Sequence, residues 1–333
     1  MRIKIRNPDY SWQPNLRQIL IFFYRKDLLH MKTMTYEAFL PEIRLAVQKA
    51  SPDDVSVSLQ SIKKNNGVSL DALVLSKDNG TPAPTIYVNP YFEDHKNGEL
   101  SIDEIADRII WQYQHASIED PFDLSDFTDF EKIKDRIILK LVNRSLNADQ
   151  LTEIPHVDYL DLAITFSILL DVKDHHTATI LIKSELLSIW QKDVEDLYAC
   201  AKKNTPKLLP WKFNSMADIL SGLMCDLPDD STSDIPMYVL NNDEGMYGAS
   251  VILYEGVLKE VSEQIGGDFW VIPSSIHECL CIPANGHVDA ASLNEMIVSV
   301  NGSAVEAQEV LSDHCYIYNA KDGRLAIPDT ATV

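Results

Sequence analysis

The chain has 333 residues, of which 45% are hydrophobic and 24% are charged, and its formal net charge is −21. These proportions are typical of a globular protein that buries a sizeable core. The negative charge argues against nucleic acid and anionic membranes as partners, because both would repel the chain. The five cysteines are odd in number and follow no export signal, so we expect reduced thiols and a cytoplasmic location.

The first part of the chain differs in charge from the rest. Residues 1–34 hold seven Lys and Arg against two Asp. The apolar run from Ile19 to Tyr24 is shorter than a signal-peptide core and far shorter than a membrane span. We therefore expect residues 1–33 to be a non-native or disordered extension, with Met31 or Met34 as the true start. The alternative is a basic amphipathic anchor.

The next segment predicts a helix, a hairpin and a further helix. Thr35 can cap a helix over residues 36–50, whose apolar positions recur on one face. Residues 55–62 and 69–76 alternate apolar and polar side chains around the turn sequence KKNNG, which predicts a β-hairpin. We expect a third strand over residues 84–92 and a helix over residues 101–116.

The stretch EDHKNGELSIDE, residues 93–104, is close to a calcium loop of the EF-hand kind. Its first position is Glu93, and its third is His95, a poor calcium ligand. The preceding segment also predicts a strand where an EF-hand needs a helix. The alternative is a turn at Asn97–Gly98, then a helix that Ser101 and Glu104 cap. We favour the turn and the capped helix, and we predict no metal site and no cofactor.

Residues 117–228 predict a connection, strands and helices. Residues 117–129 are acidic and contain proline, which suits a connection, and DRIILKLVNRS suits either a strand or a short helix. Two strands around the turn KDHH are predicted over 161–172 and 177–183, with His175 and His176 in solvent, and then helix in two pieces up to Pro206. A basic and aromatic patch follows, and it favours a local acidic partner over nucleic acid. The patch comprises Lys202, Lys203, Lys207, Trp211, Lys212 and Phe213.

The acidic, proline-containing stretch DLPDDSTSDIP, residues 226–236, is the strongest linker signal. It predicts an N-terminal α+β region over residues 34–228 and a C-terminal α+β domain over residues 229–333. In the second domain we expect strands at 236–242 and 249–255, a helix ending at Gly266–Gly267, a strand pair, a helix and two short strands. Successive β-β-α units with packed helices predict an α+β fold with mostly antiparallel sheets.

The stretch IPSSIHECLCIP, residues 272–283, holds the strongest local group of reactive side chains. Ser274, Ser275, His277 and Glu278 suggest a hydrolase-type enzyme, although neighbours on one strand point to opposite faces. The His277, Cys279 and Cys281 side chains share one predicted face and would bind zinc if His287 or the His314–Cys315 pair came near. We favour a buried strand in which cysteine is a small hydrophobic residue.

The stretch NNDEGMYGAS, residues 241–250, could hold a ligand through backbone amides. Asn241, Tyr247 and Gly248 are the ligand-binding candidates there, and the alternative is a plain hairpin loop. The sequence contains no P-loop, dinucleotide turn, HExxH, nucleophile elbow or CxxC motif. These observations favour a non-enzymatic cytoplasmic binding or adaptor protein, whose partner is a protein or a small molecule, over the hydrolase.

Several phrases together resemble a family of uncharacterised proteins from anaerobic Firmicutes, known as a domain of unknown function. They are PTIYVNPYFEDHKNG, YLDLAITFSILLD, AKKNTPKLLP, MYVLNNDEGMYGAS and DFWVIPSSIHECLCIP. The resemblance runs from about Met34 almost to the end of the chain. It implies a cytoplasmic bacterial protein and assigns no catalytic or ligand-binding residue.

Overall fold

The computed structural model describes residues 34–77, 85–115, 124–173, 176–223 and 235–328. The predicted extension 1–33, His175 and most of the predicted linker lie outside these ranges. In the described residues, no helix has the length and apolar character needed to cross a membrane. The chain divides into two compact units: one contains residues up to 62 and 69–119, and the other contains 63–68 and the residues from 120 onward.

The first unit packs helices against a three-stranded antiparallel sheet. Its helices are α1 (Tyr36–Ala50), α2 (Asn89–Lys96) and α3 (Ile102–His115), and its strands are β1 (Val55–Lys63), β2 (Ser69–Lys77) and β3 (Thr85–Tyr87), in the order β1-β2-β3. Thr35 caps helix α1, as predicted, because its hydroxyl accepts a hydrogen bond from the Ala38 N–H. Phe39 and Ile43 of α1 and Ile109 of α3 are fully buried in one core with the strands.

The segment around residues 88–104 corrects one prediction and confirms another. The predicted strand over 84–92 ends at Tyr87 in the structure, and the prediction is wrong for residues 89–92, which begin helix α2. Pro90 lies in the first turn of this helix, where proline is tolerated, so it did not mark the end of a strand. Gly98 ends α2 with φ +73°, its N–H bonds to the His95 carbonyl, and the Glu99 N–H bonds to the Asp94 carbonyl, each at 2.9 Å. The capping box is confirmed, since the Ser101 N–H donates to Glu104 Oε2 at 2.8 Å and the Glu104 N–H to Ser101 Oγ at 3.3 Å.

The second unit contains two antiparallel sheets, which confirms the α+β fold. A four-stranded sheet has the long strand β6 (Leu162–Lys173) in its middle, paired with β4 (Ile137–Asn143) on one side and with β5 (His156–Tyr159) and β7 (His176–Leu181) on the other. A six-stranded sheet has the order β13-β12-β10-β11-β9-β8. Its strands are β8 (Trp211–Ser215), β9 (Tyr238–Asn242), β10 (Phe269–Ser275), β11 (Glu278–Pro283), β12 (Tyr316–Asn319) and β13 (Arg324–Ala326).

Helices fill the connections between these strands. They are α4 (Phe130–Ile133), α5 (Ala148–Leu151), α6 (Ser184–Trp190), α7 (Val194–Leu208), α8 (Met216–Leu223), α9 (Val257–Ile265) and α10 (Ala290–Ser303). The two-piece helix predicted before Pro206 is confirmed, although α7 continues to Leu208. The strand predicted over 249–255 is wrong: Gly248–Leu253 is a buried 3-10 helix, since an apolar run suits any buried element.

The predicted domain boundary at residues 228 and 229 does not coincide with the division in the structure. Strand β8 precedes that point and strand β9 follows it, yet the two pair directly, from Trp211 opposite Asn242 to Ser215 opposite Tyr238. A single core cluster also draws residues from β4, α7 and the six-stranded sheet. An acidic, proline-containing stretch marks a surface connection equally well within a domain and between domains.

The outer edge of β4 is covered by side chains instead of by another strand. The Leu139 N–H donates to Thr205 Oγ1 at 2.9 Å, and the Leu141 N–H donates to Ser250 Oγ at 3.1 Å. At the two ends of the strand, the Ile137 carbonyl accepts from Asn204 Nδ2 and the Asn143 carbonyl from Asn147 Nδ2. Side chains therefore satisfy these four outward backbone groups of the buried edge without a neighbouring strand.

Candidate functional site

The β10–β11 hairpin places the predicted catalytic and zinc candidates around one turn. Cys279 and Cys281 are fully buried in the main core, and Ile282 packs into a separate cluster on the other face. Burial, with a smaller effect of Glu278, raises the pKa of Cys279 to about 12, so the thiol stays protonated. Among the described residues, no three His, Cys, Asp or Glu side chains are grouped to hold a metal ion.

His277 lies at the centre of a group that contains the predicted ligand-binding residues. The Tyr247 N–H donates to His277 Nδ1 at 3.4 Å, and His277 Nε2 lies 3.4 Å from Glu309 Oε1. The Tyr247 and His277 rings stack, with 6.2 Å between their centroids and 13° between their planes. A Cβ atom on Gly248 would lie 2.3 Å from the His277 carbonyl oxygen, so only glycine fits there. Asn241 contacts the same position, and its Oδ1 is buried without a hydrogen bond.

Tyr247 has a backbone conformation that is costly for an aromatic residue. Its φ is +54°, in the left-handed region. Its hydroxyl is 3.3 Å from Thr179 Oγ1, and the Lys140 ammonium lies 4.9 Å from the ring centroid. Such strain persists only where surrounding contacts fix the residue, and it is frequent at ligand sites.

The two serines take part in the turn and not in a pair with histidine. Ser275 Oγ accepts from the His277 backbone N–H at 3.0 Å, and Ser274 Oγ donates to Glu278 Oε1 at 3.5 Å. The imidazole nitrogens of His277 face Tyr247 and Glu309 instead. A hydroxyl nucleophile needs a base within hydrogen-bond reach, so these contacts weigh against the hydrolase.

Glu309 was missed by sequence reasoning, and the loop between β1 and β2 helps to position it. Asn66 Nδ2 donates to the carbonyls of Ala307 at 2.9 Å and Val310 at 2.7 Å, and Asn65 Nδ2 donates to the Gln308 carbonyl at 2.9 Å. The paired asparagines in KKNNG indicated a turn, but nothing local indicated their partners about 240 residues away. The Ile276 N–H then bonds to the Glu309 carbonyl, which fixes the segment beside His277.

A second group of polar side chains, also missed, joins Asp161 to the start of β12. His314 Nε2 is 3.0 Å from Asp161 Oδ2, its Nδ1 is 3.0 Å from the Cys315 carbonyl, and the Tyr316 hydroxyl donates to Asp161 Oδ1 at 2.8 Å. Both imidazole nitrogens face oxygen acceptors, so the arrangement suits the doubly protonated ring. Asp161 accordingly raises the pKa of His314. Burial alone would raise the pKa of Asp161, but the His314 and Tyr316 hydrogen bonds hold it below its usual value.

Half of the predicted basic and aromatic patch, namely Lys202, Lys203 and Trp211, lines a cleft of about 500 Å³, whereas Lys207, Lys212 and Phe213 lie outside its lining. Helix α7 presents one face to it, because its lining residues are three, four and seven positions apart along the helix. Strand β8 contributes Trp211, and the rest comes from the start of α9 and the segment before it. The lining residues are Ala199, Lys202, Lys203, Pro206, Trp211, Tyr254, Glu255, Val257 and Glu260.

The lysines around this cleft differ in whether they already have an acidic partner. Lys202 lies 3.3 Å from Glu255, and Lys212 lies 3.1 Å from Asp243. Lys203 and Lys207 are exposed and form no ion pair within the part of the chain that the structure describes. Among the described residues, these two are therefore the lysines of the patch without a carboxylate partner.

The fold and the cleft define an α+β protein of antiparallel sheets with a surface depression that two lysines, two glutamates and two aromatic side chains line. The chain belongs to a family of unknown function, DUF5688, whose model matches residues 36–320. This match confirms the resemblance to a family of unknown function and its beginning near Met34. Searches of curated proteins and of solved structures find no match.

Proposed function

We propose that this protein is a non-enzymatic binding or adaptor protein whose cleft between α7, β8 and α9 binds an acidic partner protein. The resemblance to proteins of anaerobic Firmicutes supports a cytoplasmic setting for this role. The observation that carries the proposal is the position of Lys203 and Trp211 on the wall of one cleft of about 500 Å³. Tryptophan and unpaired basic groups around a concave apolar surface are typical of interface centres.

The strong negative charge of the whole chain is compatible with an acidic partner. At physiological ionic strength, charges farther apart than roughly 8 Å are largely screened from each other. Of the two carboxylates that line the cleft, Glu255 is already paired with Lys202, so Glu260 is the nearby group that opposes an acidic partner. Local ion pairs with Lys203 and Lys207 then outweigh repulsion by Glu260 and by distant carboxylates. Repulsion between the two acidic proteins opposes their association, so we expect moderate salt to tighten binding by screening it. High salt should weaken binding, because it also screens the local ion pairs.

Fluorescence anisotropy with defined peptides tests the proposal. The probe is a fluorescein-labelled peptide of about ten residues in which valine alternates with glutamate, and its counterpart carries lysine in place of glutamate. We expect the acidic peptide alone to bind, and the double variant K202E/K203E to weaken binding at least about tenfold. The matched control is Lys321→Glu, since Lys321 is exposed just after β12, near the opposite edge of the same sheet. Equal binding of both peptides, or unchanged binding by K202E/K203E, would refute the proposal.

The hydrolase remains the competing proposal, and the pairing of His277 with Glu309 is the observation that favours it. A histidine held by a carboxylate can act as a general base once a substrate or water approaches. A panel of ester and peptide substrates tests this, with Ser275→Ala and His277→Gln as variants. Turnover that both variants abolish would establish the enzyme, whereas no turnover by the wild type would remove it.

A further inference from the structure

Strand β8, which borders the cleft, pairs with β9 on one side and with no strand of the described residues on the other. The Met216 N–H donates to the Met237 carbonyl at 2.8 Å, and the Asp243 N–H donates to the Pro210 carbonyl at 2.9 Å. Residues in an antiparallel pair alternate between bonding toward the partner strand and away from it. Positions 212 and 214 therefore bond toward β9, and the backbone groups of Trp211, Phe213 and Ser215 point to the other side.

Among the described residues, no bond is found for the N–H groups of Trp211, Phe213 and Ser215 or for the carbonyls of Trp211 and Phe213, whereas the Ser215 carbonyl belongs to the first turn of α8. The contrast with β4 is informative, because side chains of Thr205, Ser250, Asn204 and Asn147 cover the corresponding groups of that strand. Within the described residues, side chains cover the edge of β4, while the edge of β8 beside the cleft is left open. An open edge is a template for an added strand.

We propose that an extended acidic segment of the partner protein adds to β8 as a further strand and places alternate carboxylates near Lys203 and Lys207. This inference rests on the proposed function, since it specifies how the partner occupies the same cleft. Backbone hydrogen bonds to Trp211, Phe213 and Ser215 would supply affinity, and the lysines would select acidic side chains at every second position.

Charge favours a separate acidic segment over a second copy of this chain. Pairing β8 with β8 of another copy would bring Lys212 and the neighbouring lysines of both copies together. Lysine on an edge strand is a known protection against such self-association. An acidic strand would instead be attracted, because its carboxylates would meet Lys203 and Lys207, which have no ion pair among the described residues.

Peptides methylated on backbone nitrogens test strand addition without altering the protein. One version of the valine–glutamate peptide carries N-methyl groups on every valine, and the other carries them on every glutamate. Only one of these two sets of N–H groups can face β8, so we expect one version to bind at least about tenfold more weakly and the other to bind like the parent peptide. Equal affinity of both versions and the parent overturns strand addition.

A matched pair of protein variants probes the edge itself. Ser215→Pro removes the outward N–H, whereas Ser215→Ala keeps it and removes only the hydroxyl, which accepts from the Ala217 N–H at 3.2 Å. Proline is tolerated on a free edge, so we expect S215P to keep the wild-type circular dichroism spectrum and to bind the peptide at least about tenfold more weakly, with S215A unchanged. If S215P misfolds, the methylated peptides, which leave the protein unaltered, decide the question.

The outcomes separate the two proposals. One outcome is that the acidic peptide binds, that K202E/K203E weakens this binding and that backbone methylation has no effect. Strand addition is then refuted, and the proposal that the cleft binds an acidic partner stands. If the wild type does not bind the acidic peptide at all, both fail. If light scattering shows a dimer that S215P abolishes and S215A does not, the occupant is a second copy and the inference is overturned.

Discussion

Replacing Thr205 with valine tests how the buried edge of β4 is stabilised. Thr205 is fully buried, and its hydroxyl accepts from the Leu139 N–H at 2.9 Å and donates to the Ala201 carbonyl at 2.6 Å. Valine has nearly the same shape, so the change removes the hydrogen bonds and leaves the Leu139 N–H buried without an acceptor. Leaving a buried donor unsatisfied costs about 1–3 kcal/mol, and we expect Thr205→Val to lower the free energy of unfolding by that amount.

Thr165→Val is the matched control for this experiment. Thr165 is equally buried, and its hydroxyl donates to the Lys140 carbonyl at 3.2 Å. That carbonyl faces β6, because the outward positions of β4 are 139 and 141, so it keeps its ladder bond in the variant. We expect a loss below about 1 kcal/mol.

The assay combines urea unfolding, followed by circular dichroism, with hydrogen–deuterium exchange. Thr205→Val should speed exchange in the peptide that contains residues 137–143 more than Thr165→Val does, because only the first variant frees a backbone N–H of β4. Equal stability and equal exchange in the two variants would refute the conclusion that side chains complete this edge.

Three further predictions follow from close contacts, charge and capping. Gly248→Ala should lower the free energy of unfolding by about 1–3 kcal/mol, because the added Cβ would lie 2.3 Å from the His277 carbonyl oxygen. Gly302→Ala, whose Cβ would meet open space in α10, should raise it by up to about 1 kcal/mol. Thermal melting of the two variants compares these effects. In urea unfolding, Asp161→Asn should lower the free energy of unfolding by about 1 kcal/mol near pH 5.5 and by less at pH 9. Because the pKa of His314 is raised, the ion pair stabilises the fold at the lower pH and is lost as the pH rises. Because the pKa of Asp161 is lowered, its carboxylate is still ionised at pH 5.5. A difference that does not shrink between these pH values would rule out the charged pair. Ser101→Ala removes the cap of α3 and should lower the free energy of unfolding by about 1 kcal/mol. The control Ser69→Ala, at an exposed position, should lower it by less than about 0.5 kcal/mol. Equal losses in the two variants would show that the cap does not stabilise the protein.

Local signals in the sequence predict much of this fold. The hairpin around KKNNG, the strand pair at β10 and β11, and the capping box at Ser101 and Glu104 each depend on residues a few positions apart, so their patterns are visible in the sequence. The errors at residues 88–92 and 249–255 also have a local cause. A proline suits either a strand end or a first helical turn, and a short apolar run suits any buried element.

The candidate sites were less predictable, because their members come from distant parts of the chain. His277 and Tyr247 could be named from the sequence, but their contact with Glu309 depends on the Asn65–Asn66 loop. Asp161 and His314 are 153 positions apart and meet only through the sheet packing. Lys203 and Trp211 were visible as a patch since a helix and the following strand keep them near each other in sequence.

The treatment of sheet edges explains why the cleft is a stronger candidate than the His277 group. At β4 the chain provides hydroxyl and amide side chains for the outward backbone groups of a buried edge. Around His277 the polar groups are also mostly paired within the chain, and the described exceptions are Asn241 Oδ1 and, in the loop that holds Glu309, Asn65 Oδ1. At β8 the backbone groups, Lys203 and Lys207 together lack partners within the described residues. These backbone and ammonium groups lie beside Trp211 and support the proposed partner, since an extended acidic peptide supplies backbone, carboxylate and apolar contacts at once.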